Sequence, residues 1–115
     1  MNQNQVPTEE KIRRLEEEKK RGNDFFTQGN YTQAIHHYEN ALMGFLHLLQ
    51  TKEVTTQEQI EKIMQDVQIP CHMNAAQSFI KLGKWKEAKF QAEQALNMQN
   101  SGIKADPAKT VKILY

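Results

Sequence analysis

The sequence predicts an all-α fold built from helix–turn–helix repeats, and three observations carry that reading. The first is self-similarity at one offset: adding 54 takes Phe25 to Phe79, Gly29 to Gly83, Tyr31 to Trp85, Ala34 to Ala88, Ala41 to Ala95 and Leu42 to Leu96. A recurrence of this kind marks a repeat architecture. The second is the nature of the recurring residues. Small side chains recur where two helices must approach, as Gly22 matching Ala76 also suggests, and aromatics recur where a gap needs filling. Gly29-Asn30 and Gly83-Lys84 stand where one helix should stop, because glycine tolerates the left-handed cap conformation. The third is the apolar spacing of Ile60, Ile63, Met64 and Val67, which follows i, i+3, i+4, i+7 and continues one helical face ahead of the second unit.

Taken in order, Pro7-Thr8-Glu9-Glu10 reads as a helix start, with Thr8 capping free backbone N–H groups and the carboxylates favouring the positive helix end. From Glu9 to Arg21 both charge signs mix and the only aliphatics are Ile12 and Leu15, so an exposed helix laced with charge pairs is expected. The domain plan is a single domain over 1–115. It comprises a disordered tail over 1–8, a first unit over 9–48, a second over 57–99 with an extended first helix, and over 105–115 the start of a third that stops inside its first helix.

Composition narrows the function classes. A chain of 115 residues with 38% hydrophobic content accommodates one modest core. A formal net charge of +1 lacks the basic excess that phosphate-backbone binding uses, so no nucleic-acid partner is expected. The single cysteine, Cys71, permits no intrachain disulfide and fits a reducing compartment. No apolar run is long enough to span a membrane, and Met1 to Glu10 lacks the apolar centre of a secretory signal. A cytoplasmic protein, with the nucleus as the alternative, and no membrane partner follow as expectations.

Gly22-Asn23, Phe25, Gly29-Asn30-Tyr31, Ala34, Tyr38 and Ala41-Leu42 resemble a tetratricopeptide repeat. Ala76, Phe79, Gly83-Lys84-Trp85, Ala88 and Ala95-Leu96 fill the corresponding slots of a second copy, with Ala92 replacing the aromatic matched by Tyr38. Such repeats run to about 34 residues, so the offset implies roughly 20 extra residues, read here as longer helices. Those long helices, followed by Ile69-Pro70-Cys71-His72-Met73-Asn74, resemble the repeat domains of large immunophilins, the prolyl isomerases that serve as chaperone partners. The resemblance implies tetratricopeptide repeats in a right-handed superhelix, two full and a third begun at Asp106-Pro107. It covers almost the whole chain. It also implies a parent protein with a separate isomerase domain, this chain itself being no enzyme.

Lys19 and Asn23 are four apart and share one helix face, Asn74 falls on the next groove helix, and Lys112 follows in the third repeat. This run resembles the dicarboxylate clamp of co-chaperones that hold the acidic C-termini of heat-shock chaperones. A terminal aspartate presents two carboxylates, acceptors only, which ammonium and amide donors suit. The resemblance implies a further Arg four residues after Lys112, one position past Tyr115, and Lys104 competes with Lys112 for the clamp position. The alternative function is a helical scaffold that binds another protein without a carboxylate clamp. The apolar run Val111, Ile113, Leu114 and Tyr115, lacking a covering helix, leads to two further expectations: that the chain is a fragment, and that alone it self-associates through the truncated third repeat or binds peptide weakly.

Other motifs carry less. His36-His37 are adjacent, about 100° apart on a helix, which is poor geometry for one metal. Cys71 beside His72 lacks an orienting third group and reads as a buried structural thiol. Asn30-Tyr31-Thr32 matches a glycosylation acceptor by accident, and Phe26 reads as a core aromatic rather than a groove wall. No catalytic residue, metal or cofactor is expected.

Overall fold

A computed structural model of the chain describes residues 6–101, and every regular element among them is helical. The order is α1 (Thr8–Thr27), α2 (Tyr31–Gln50), α3 (Gln57–Ile63), a π-helical stretch over Met64–Gln68, α4 (Ile69–Lys81) and α5 (Trp85–Ser101). Helix α1 packs on α2, α4 packs on α5, and α2 joins the two pairs by lying against α4. The third unit begun at Asp106-Pro107, together with Lys104 and Lys112, lies outside the described residues.

Helix α1 begins where the sequence suggests, but not by the expected device. Pro7 is the N-cap residue and no side chain caps the helix. Thr8 is already helical, and its hydroxyl donates to Glu53 Oε1 at 3.3 Å instead. Lys11 reaches the same carboxylate. The outer face of α1 carries the expected charge pairs, Arg13 with Glu10 and Glu17 among them. Its inner face is set by Leu15, which is buried, and Gly22.

Gly22 is required by sterics. A Cβ placed there would lie 2.5 Å from Cε1 of Tyr38, so the ring of α2 sits where any side chain would be. At the offset of 54 the pair becomes Ala76 and Ala92, a methyl group at one position and no ring at the other.

The two turns match atom by atom at the same offset. Asn30 N–H donates to Phe25 O at 2.9 Å and Lys84 N–H to Phe79 O at 2.8 Å. Gly29 N–H donates to Phe26 O at 3.0 Å and Gly83 N–H to Ile80 O at 2.9 Å. Both glycines take positive φ, +80° and +74°, as this helix-ending motif demands. Ala34 and Ala88, like Ala41 and Ala95, are buried in both units. The aromatics differ: Tyr31 meets Phe26 edge-on at 5.4 Å, whereas Trp85 is 65% exposed and Ile80, at the position matching Phe26, is exposed too.

The α2 terminus repeats the motif with a residue that suits it poorly. Glu53 N–H donates to Leu48 O at 3.0 Å, and Lys52 occupies the left-handed position with φ of 60°.

The stretch from Gln57 to Lys81 is helical throughout, the backbone at Ile63, Met64, Gln68 and Ile69 remaining right-handed. Pro70 sits inside it, at the start of α4. Proline has no N–H and its ring crowds the carbonyl four residues back, and the wider π turn just before it relieves that clash. The expected face of Ile63, Met64 and Val67 is buried with Tyr38, Leu48, Val54 and Cys71 in the main core, and Ile60 packs against it. No described helix is long and apolar enough to cross a membrane.

Candidate functional site

Three of the four residues singled out in the sequence come from helices that meet. Lys19 and Asn23 project from α1, and Asn74 from α4. Asn74 Nδ2 donates to Asn23 Oδ1 at 3.0 Å across 51 residues of sequence. The same oxygen accepts from the Tyr38 hydroxyl at 2.6 Å. An amide oxygen has two lone pairs, so both are taken, and what Asn23 offers a ligand is its NH2 group. Burial pushes the Tyr38 hydroxyl up to about 12, with Asn74 pulling the other way, which keeps the phenol protonated and a donor.

Lys19 Nζ donates to the Asp66 carbonyl at 2.7 Å, part-buried between α1 and the π turn. That carbonyl is the one an α-helix would satisfy with the N–H of residue 70, which is Pro70. Lys19 therefore gives that carbonyl a donor that Pro70 cannot. The Asp66 side chain is engaged elsewhere, with Lys62 at 2.9 Å, and among the described residues no carboxylate pairs with Lys19. The Cys71 thiol lies close enough to feel the Lys19 charge, yet burial dominates and pushes it up to about 12, leaving it a neutral core group.

The arrangement is a run of donors: an ammonium and two amides on adjoining helices, backed by a protonated phenol. It can receive an anion with several acceptor oxygens. Sequence reasoning missed the Tyr38 hydrogen bond and the Asp66 carbonyl. Nothing in the spacing signals either, since Tyr38 reads fully as a core aromatic. Phe26 is partly buried against the core. His37 bonds Glu18 at 2.8 Å and stacks on Phe25, a link between α1 and α2. Asn30 Oδ1 accepts from Gln33 N–H and caps α2.

No family model matches the chain, and no solved structure matches it. The functional reading therefore rests on these side chains.

Proposed function

We propose that the chain is a tetratricopeptide-type interaction module that captures an acidic C-terminal peptide, in the manner of the co-chaperones that hold heat-shock chaperone tails. The observation that carries the reading is the meeting of Asn23 and Asn74 at 3.0 Å beside Lys19. Two helix–turn–helix units that share their turn hydrogen bonds support the repeat assignment and the superhelix it implies. In this reading the terminal α-carboxylate and the aspartate side chain receive the Lys19 ammonium and the Asn23 and Asn74 amides, with Lys112 as a fourth donor. The action is capture without catalysis, and an immunophilin-like parent would carry any isomerase activity in another domain.

The test is calorimetric titration with a short acidic peptide ending in aspartate, beside the same peptide amidated at its terminus. Charged hydrogen bonds contribute about 1.5–3 kcal/mol each, so amidation should weaken binding by roughly tenfold or more. Equal affinity for the two peptides would sink the clamp.

A helical scaffold without a clamp is the competing reading, and the Lys19 bond to the Asp66 carbonyl favours it, because that lysine already has structural work. Under the scaffold reading Lys19→Met lowers stability alone. Under the clamp reading it also lowers peptide affinity and the salt dependence of binding.

A further inference from the structure

A second surface lies between α2 and α5, with α4 and the π turn as its floor. It is a cleft of about 470 Å³ whose walls include Met43 and Leu46 of α2 and Phe90 and Met98 of α5. Three of these are exposed to a degree unusual for large apolar groups: Met43 68%, Leu46 52% and Phe90 55%. Concave apolar surface of this kind marks a binding groove.

Three of its polar lining residues, Gln68, His72 and Glu39, offer acceptors. Gln68 on the floor is 1% exposed, and its side-chain oxygen has no hydrogen-bond partner. His72 Nδ1 meets Gln91 Oε1 at 2.6 Å, so that nitrogen carries the proton. Burial keeps the ring neutral, which leaves Nε2 as an acceptor. Glu39 is the one formally charged residue on the lining, and no ion pair engages it among the described residues. This demand is opposite to that of the Lys19 and Asn23 face, so the acidic peptide proposed there does not suit it.

We propose that this cleft docks an amphipathic helix that carries an arginine within its apolar stripe. The walls are two helices with apolar residues at helical spacing, Met43 and Leu46 on one side, Phe90 and Met98 on the other. A helix laid in such a groove is a recurring mode of recognition. From Phe90 to Met98 the wall runs about 12 Å at 1.5 Å per residue, so two to three turns of partner cover it. Arginine is an extended apolar stem with five N–H donors and no acceptor. Its charge matches the Glu39 carboxylate, and its donors suit a lining that carries no cation.

The experiment uses the full chain and a labelled model helix of 18 residues with a leucine stripe and one central arginine, read by fluorescence anisotropy. Saturable binding is expected, weakened at least tenfold, about 1.4 kcal/mol, when the peptide arginine is replaced by glutamate or when Phe90→Ser is introduced. Glu39→Gln should weaken the arginine peptide several-fold and, by relieving like-charge repulsion, tighten the glutamate peptide. Asn23→Ala should leave docking intact, which separates this cleft from the clamp. Absent binding, equal binding of the two peptides, or indifference to Phe90→Ser overturns the proposal. So does a dimer in light scattering that Phe90→Ser dissolves, because the occupant is then a second copy.

Discussion

Lys19 of α1 and Asp66 of the π turn are joined by a 2.7 Å hydrogen bond from the ammonium to a backbone carbonyl to which Pro70, four residues on, has no N–H to donate. The bond ties the first helix pair to the second at the one place where the long third rod departs from α-helical geometry. Lys19→Met should therefore cost about 1.5 kcal/mol of unfolding free energy, the lower end for a charged hydrogen bond because the lysine is part-exposed. In Pro70→Ala the alanine N–H can serve Asp66, so the same lysine substitution should cost less there. Urea unfolding of the four proteins of this cycle gives the coupling. Strictly additive losses would show that Lys19 and Pro70 act independently.

Gly22→Ala should destabilise the chain by about 1–3 kcal/mol, the range for overfilling a close-fitting site, because its Cβ would fall 2.5 Å from the Tyr38 ring. The ring cannot retreat without breaking its hydroxyl bond to Asn23. Acidic-peptide affinity should fall with it, even though Gly22 touches no ligand. A denaturation midpoint within error of the parent would mean that α1 and α2 can separate freely here.

Lys52→Gly should stabilise the fold by about 0.5–1 kcal/mol, since a non-glycine residue pays roughly 1–2 kcal/mol in the left-handed region and glycine loses part of that gain to backbone entropy. Gly83→Ala should do the reverse by about 1 kcal/mol: its φ is +74° and nothing lies within 4 Å of the added carbon, so the effect is conformational alone. Thermal melts of both variants check the pair. A shift of the same sign in both would contradict the shared turn geometry.

Stability should decline on acidification in two windows. Burial holds the His72 imidazole below its ordinary 6.5, against the pull of the Gln91 bond. The unfolded chain then takes up the proton first, so this contribution is whole above 6.5 and is lost as pH falls below it. Burial alone would raise Glu18, but hydrogen bonds from His37 and Asn40 hold it below 4.5. Glu53 is likewise lowered, chiefly by Lys11. Their contributions are present above 4.5 and fade below it. Urea midpoints between pH 7.5 and 5 should fall less steeply in His72→Gln than in the parent, and parallel slopes would remove His72 from the account.

How much of this was legible in the sequence follows from the range of the forces involved. The all-helical fold, the two glycine turns and the buried face of Ile63, Met64 and Val67 rest on local preferences: helical period, left-handed tolerance and apolar spacing act within a few residues. The turns recur to within 0.1 Å in their hydrogen bonds because the same short-range rule is applied twice. Thr8 departed from its expected capping role because a distant carboxylate, Glu53, offered its hydroxyl a better partner. Only the tertiary structure decided that Asn74 would meet Asn23 across 51 residues, that Tyr38 would share the same oxygen, and that Lys19 would reach the Asp66 carbonyl. Those contacts depend on how α1, α2 and the long rod cross. Crossing geometry is set by summed side-chain volume over the whole core, down to a missing Cβ at Gly22, and no short window of sequence contains that sum.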